Sequence, residues 1–214
     1  MGSSIQGGNH SRMAAVDLVF LVEGSDAVND SLFSTMFDIV KDILTRFPVS
    51  TNRTHVAVAV YAAETKIVVN LNDIYNSSKI KEALDSVKKP NGHNLAGKAL
   101  KTVKTDIYDK TGRTGAVSRV LLHIMCSESL DDVIQPAEDL REERVKIIAA
   151  GACPDVKKAE LCNIGSPPLC DNSVLIQTFK PPSSPGRELA DRLKKGSSAL
   201  SNHRKGKIYA LCQT

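Results

Sequence analysis

Tryptophan is absent from the 214 residues, and Phe and Tyr together bring the aromatic share to only 4%. So few rings leave little for stacking on nucleic-acid bases or sugars. An excess of charge of one sign is also lacking. The chain carries 28 basic and 24 acidic residues, a formal net charge of +4, too balanced to argue for nucleic acid as a partner. No apolar run approaches the ~18–20 residues of a membrane-spanning helix; the longest, Val16–Val22, is strand-sized and contains Asp17. There is no Gly-x-Ser-x-Gly elbow to expose a nucleophile. Gly112 and Gly115 bracket Arg113-Thr114 with no Gly-Lys-Ser/Thr to follow, so they read as a surface turn rather than a phosphate cradle. What is present, 42% hydrophobic and 24% charged residues, suits a folded domain with a sizeable core.

Met1–Arg12 is rich in Gly and Ser, precedes a second methionine at Met13, and lacks the apolar stretch of a signal peptide. It reads as a vector-derived leader covering 1–13, before a domain over 14–201 and a basic tail over 202–214. Within the domain, Val16–Val22 is an apolar run suited to a strand covered on both faces. Apolar residues at helical spacing over Ser31–Phe47 predict a helix, capped by Asn29, Asp30 or Ser31 and stopped by Pro48. His55–Tyr61 and Thr65–Leu71 are strands close enough for an antiparallel hairpin. Ser77–Lys88 and Asn94–Tyr108 read as helices, separated by Lys89-Pro90-Asn91-Gly92. Ser118–Met125, Val145–Ala150 and Val174–Phe179 complete the strands. Leu130–Glu143, with Asp131 and Asp132 complementing its dipole, and Arg187–Ala199 complete the helices. This alternation predicts an α/β fold: a doubly wound, mostly parallel six-stranded sheet with one antiparallel edge strand and helices on both faces. Ligands of such sheets sit at the carboxyl ends of the strands, which directs attention to the loops after Val22, Met125 and Ala150 and to the Asn91–Gly97 turn.

Asp17-Leu-Val-Phe-Leu-Val-Glu-Gly-Ser25, Val56-Ala-Val-Ala-Val-Tyr61, Asn91-Gly-His-Asn-Leu-Ala-Gly-Lys-Ala-Leu100 and the stretch Val120–Val133 follow one another in an order and spacing that resembles a von Willebrand factor A domain. The resemblance runs from about Ala15 to Ser201 and is nearest to the collagen and cochlin-like extracellular-matrix branches. It implies a secreted, non-enzymatic adhesion module of the extracellular matrix, with collagen as the implied partner. The family's metal-ion-dependent adhesion site uses Asp-x-Ser-x-Ser after the first strand, a Thr three residues before a Gly, and an Asp after the fourth strand. Here those positions carry Glu23, Ser25, Ala27, Asn94 and Cys126; only Ser25 is kept. Mg²⁺ takes a tight octahedron of hard oxygen ligands. Glu23 is one methylene too long, Ala27 offers no side-chain oxygen, and Cys126 is soft. The expectation is a degenerate, metal-free site with no cofactor; the alternative is Mg²⁺ or another divalent ion held by Glu23, Ser25 and Asn94, with Asp26 or Glu128 added.

Five cysteines, Cys126, Cys153, Cys162, Cys170 and Cys212, favour an oxidising compartment, and their odd number leaves one unpaired within the chain. Cys162 and Cys170 flank a loop rich in turn formers, where a local bridge is plausible. The strands before Cys126 and Cys153 are neighbours in the fold the chain resembles, so a bridge there would staple the altered metal site. Cys153 to Cys162 or Cys170 competes with both. Spacings of 27, 9 and 8 residues match no zinc finger. Cys212 is the candidate for a link to a neighbouring chain. Sequons at Asn29, Asn52 and Asn76 offer glycan sites on a secreted protein.

An enzyme would need a nucleophile with a base. Ser25, His93 and Glu23 are the best available trio, yet the adhesion-site resemblance already accounts for Glu23 and Ser25, so no catalytic residue is expected. His123, inside an apolar strand, reads as a core residue. From Lys180 to Lys207 the chain has eight basic residues against two acids, so Arg204, Lys205 and Lys207 make a candidate surface for a sulfated glycan. The loops carrying Asp26, Asn94 and Glu128 are the other candidate binding surface.

Overall fold

The structure, a computed structural model, describes residues 15–154, 156–176 and 184–198. The leader, the tail with Arg204, Lys205, Lys207 and Cys212, and the second half of the strand expected over Val174–Phe179 lie outside them.

β1 (Ala15–Glu23) is central, flanked in parallel by β2 (Thr54–Tyr61) and β4 (Val117–Met125). β3 (Thr65–Val69) pairs antiparallel with β2 at one edge, while β5 (Val145–Gly151) and β6 (Ser173–Leu175) extend the sheet in parallel on the other. The order is β3-β2-β1-β4-β5-β6, the six-stranded sheet with one antiparallel edge strand that the sequence pattern predicts. Alternation explains the uninterrupted apolar run of β1. Leu18, Phe20 and Val22 point to one layer with α1 (Asp30–Leu44), whereas Val19 and Leu21 point to the other with α3 (Ala96–Thr102).

Asn29 is the cap chosen for α1: its side-chain oxygen accepts the Leu32 N–H at 2.9 Å. α2 (Ser77–Asp85) is capped likewise by Asn76. The helix expected over Asn94–Tyr108 starts two residues later as α3 and then widens into a π-helical stretch, Val103–Tyr108, before α4 (Asp109–Thr111). The helix expected from Leu130 begins instead at Ile134, as α5 (Ile134–Glu142). The reason lies in the side chains before it. Asp131 accepts the Gly97 and Lys98 N–H groups at 2.8 and 2.7 Å, and Ser129 accepts that of Ala96. Both residues therefore cap α3 across the sheet edge, and only Asp132, accepting the Ile134 N–H, serves its own helix. A Cβ on Gly97 would lie 1.9 Å from the Asp132 carbonyl oxygen, so this close approach requires glycine. α6 (Lys158–Ile164) and α7 (Leu169–Asn172) fold a segment whose turn formers concealed them, and α8 (Pro185–Ser198) packs against α1.

Candidate functional site at the carboxyl edge of the sheet

Parallel strands bring the ends of β1, β4 and β5 to one edge. Glu23, the last residue of β1, is fully buried there, and an ionised carboxylate in such a place must find donors. It finds four. Oε1 accepts the hydroxyls of Ser25, at 2.6 Å, and Ser127; Oε2 accepts the N–H groups of Cys126 and Ser127, at 2.6 and 3.1 Å. The methylene that distinguishes Glu from Asp gives it the reach to span from the Ser25 turn to the turn after β4.

The remaining positions are similarly committed. Ser25 is buried, and its oxygen also accepts the Ala27 N–H at 3.3 Å. Asn94 is buried rather than displayed, which removes its side chain from the exposed binding surface expected of it. Its amide donates to the Ser127 carbonyl and hydroxyl at 2.9 and 3.0 Å, and its Oδ1 has no hydrogen-bond partner. Cys126 is disulfide-bonded to Cys153 across the ends of β4 and β5, with Cα atoms 4.8 Å apart. Cys162 is disulfide-bonded as well. Lys89 brings a cation to the same turn, donating to the Ser25 carbonyl at 3.3 Å. These side chains do not form the oxygen octahedron that Mg²⁺ takes: the carboxylate is saturated by donors, one position is Ala27, and the sulfur is bridged. Among the described residues no group of three or more His, Cys, Asp or Glu is placed to hold a metal ion.

Asp26 is exposed and accepts the Gly92 N–H at 2.8 Å, tying the two loops together. Glu128 is exposed and forms an ion pair with Lys157. The Ser25 hydroxyl points to Glu23, not to His93, which is exposed, so the Ser/His/acid trio is not assembled. His123 is a core residue: Nε2 meets the Tyr61 hydroxyl at 2.7 Å, and burial lowers its pKa to about 3.

Sequence reasoning missed Ser127, Ser129 and Glu160. The hydroxyl-bearing run after Cys126 was a signal for the first two. Nothing near Glu160 marked it. Its carboxylate accepts the Ser129 N–H at 3.0 and 3.1 Å and is only 7% exposed. Burial raises its pKa to about 7; the Ser129 N–H and Lys157 oppose the rise, and Glu128 and Glu23 reinforce it.

A mostly parallel sheet of this order defines a class that comparison with known proteins makes explicit. The sequence model of the von Willebrand factor type A domain matches residues 17–181, and the chain belongs to that family. It is 30% identical over 167 residues to the collagen alpha-5(VI) chain of Mus musculus, covering 77% of this chain and 6% of that one. Over 180 residues it is 24% identical to cuticlin-6 of Caenorhabditis elegans, covering 84% of this chain and 30% of the relative. Among solved structures, proximal thread matrix protein 1 from the mussel byssus superposes with a TM-score of 0.72 at 22% identity, covering 86% of this chain and 46% of that one. The chain thus spans from 6% to 46% of the length of these longer proteins.

Proposed function

We propose that this domain is a non-enzymatic module that binds extracellular matrix proteins, collagen first among them, without a bridging metal. The carrying observation is the Glu23 carboxylate, whose two oxygens are occupied by four donors from its own chain. An ion entering there must displace hydrogen bonds that the fold supplies internally. Collagen relatives support the matrix setting, and the Cys126–Cys153 bridge suits a secreted protein. The exposed upper loops around Asp26 and Glu128 are the proposed contact surface. The basic segment with Arg204, Lys205 and Lys207 would add a sulfated glycan, and Cys212 a covalent neighbour.

One observation favours a second reading, a divalent-metal-dependent adhesion domain. The Asn94 Oδ1 atom is buried with no partner, and a structural neighbour is described with a zinc-occupied MIDAS motif. Thermal unfolding in EDTA, Mg²⁺, Mn²⁺, Ca²⁺ and Zn²⁺, run beside retention on immobilised collagens, separates the two. Retention unchanged by EDTA and a constant Tm support the metal-free module. An ion present at a hundred times its Kd would add about 2.7 kcal/mol, a rise of several degrees, and together with retention lost in EDTA would establish the second reading. Failure to bind any matrix protein would overturn both.

A further inference from the structure

Beside the Glu23 network, the turn from β4 to α5 and the helix α6 line an open-sided cavity of about 250 Å³. That is below the ~300–1,000 Å³ of pockets for small molecules and nearer the size of one long side chain. Its wall gathers Glu128, Asp131, Asp132 and Glu160, with Lys157 as the one cation among the lining residues. Lys157 is already paired with Glu128. Among the described residues, Asp131 and Asp132 accept only backbone N–H groups and the Ser129 hydroxyl. Glu160, almost wholly buried, accepts one N–H and has no ion-pair partner among the described residues. With Glu128 paired and Glu160 holding its proton up to about pH 7, it is Asp131 and Asp132 that leave the cavity with negative charge no ion pair among the described residues neutralises.

Its rim is apolar in an unusual way for this protein. Of the three large hydrophobic side chains exposed among the described residues, two stand on this turn: Leu130, 71% exposed, and Ile134, 47% exposed, which also lines the cavity. Single exposed apolar residues need no explanation. Two beside an under-neutralised acidic cavity have the anatomy of an interface centre, with apolar contact around a place for one charged anchor.

We propose that this cavity and the Leu130–Ile134 rim dock a basic, apolar segment of a partner protein. An arginine side chain enters among Glu128, Asp131 and Glu160, and neighbouring apolar residues of the segment cover Leu130 and Ile134. Charge complementarity selects this occupant. A guanidinium supplies the missing positive charge and forms paired N–H bonds to a carboxylate in a geometry that an ammonium does not match. An acidic segment, the natural ligand of a metal-bridged site, is repelled here. This inference rests on reading the upper edge as the matrix-binding surface and names the partner chemistry at that surface.

A peptide with one arginine flanked by leucines, titrated at millimolar concentration into ¹⁵N-labelled full-length chain, tests it by amide shifts in two-dimensional NMR. Saturable shifts confined to Ser129–Ile134 and the Glu160 turn are expected. The same peptide with glutamate in place of arginine should leave them unmoved. At pH 8, where Glu160 is ionised, Glu160→Gln should weaken binding by about thirtyfold or more, as expected for loss of one partner of a desolvated charge pair, and Leu130→Ser by a few-fold. Ile134→Ser, on the rim and away from the Glu160 hydrogen bond, is the substitute should Glu160→Gln fail to fold. No shift up to the peptide's solubility limit, equal shifts with the acidic peptide, or undiminished binding by the variants would overturn the proposal. If immobilised collagen retains wild type and Leu130→Ser alike, the docking surface fails while matrix binding stands. If the peptide binds and no matrix protein does, the docking surface stands and the matrix reading fails.

Discussion

Ser127 grips Glu23 from two directions, its N–H donating to Oε2 at 3.1 Å and its hydroxyl to Oε1. The relationship joins residues 104 positions apart and locks the turn after β4 onto the end of β1. It makes an internal tie of the residue that the sequence resemblance aligns with a metal-site position.

Glu23→Ala removes all four hydrogen bonds and leaves the buried Cys126 N–H without its acceptor. The expected loss is about 3–5 kcal/mol, or a fall in Tm of the order of 10 °C for a domain of this size. Glu23→Asp restores the residue of the family motif yet cannot span both turns, so it too should lower Tm, by a smaller amount. Thermal unfolding followed by circular dichroism checks both. A Glu23→Asp protein at least as stable as wild type would contradict the tie.

Cys126 and Cys153 are 27 residues apart. Closing a loop of that length restricts the unfolded chain by about 3–4 kcal/mol on the chain-entropy account. Cys153→Ala should therefore lower Tm by roughly 6–16 °C. Because Cys162 is bridged as well, reductant should lower the variant's Tm further. Insensitivity of Tm to Cys153→Ala would count against a structural role for this bridge.

Glu160 holds its proton up to about pH 7, against the usual 4.5. Between those values the folded chain binds more protons than the unfolded one, so this group's contribution to stability falls as pH rises. Above pH 7 it is ionised in both states and the penalty is complete. Glu160→Gln keeps an acceptor for the Ser129 N–H and removes the penalty. Its Tm should exceed that of wild type at pH 8, and the difference should vanish near pH 4.5. Burial sets the effect first; the Ser129 N–H and Lys157 oppose it, and Glu128 and Glu23 reinforce it. A difference independent of pH would disprove the assignment.

At the opposite edge of the sheet, Arg113 meets the fully buried carboxylate of Asp17 at 2.7 Å and also donates to the Val16 and Arg53 carbonyls. Arg113→Ala strands a buried charge that retains only the Arg113 N–H at 2.7 Å. The expected cost is about 3 kcal/mol. Urea unfolding should show a lower midpoint with an unchanged slope; an unchanged midpoint would show that the pair contributes nothing.

Most of the strands were legible because their signals are local. Val16–Val22 is apolar at every position but one, and only a strand covered on both faces uses such a run. The start of α5 was misread for a reason that local patterning does not contain. Asp131 looks like a first-turn acid of its own helix, yet it serves Gly97 and Lys98, 34 and 33 residues earlier. α6 escaped notice because Lys158–Ile164 is short and sits among cysteines, glycine and prolines that signal turns. Glu23, Ser25, Ala27, Asn94 and Cys126 could be singled out one by one through the family resemblance. That Glu23 would turn inward to Ser127, and that Asn94 would be buried, was not legible.

The amino-acid sequence by itself determined the alternation of strands and helices and the family, since periodicity and residue chemistry are written position by position. Tertiary structure alone decided how Glu23 is held. Four donors from two distant turns converge on one carboxylate because parallel pairing of β1 with β4 brings their ends together. Pairing of β5 with β4 in turn brings Glu160 into the cavity that Ile134 also lines, a juxtaposition of acid and apolar surface that arises only when separate segments are folded against one another.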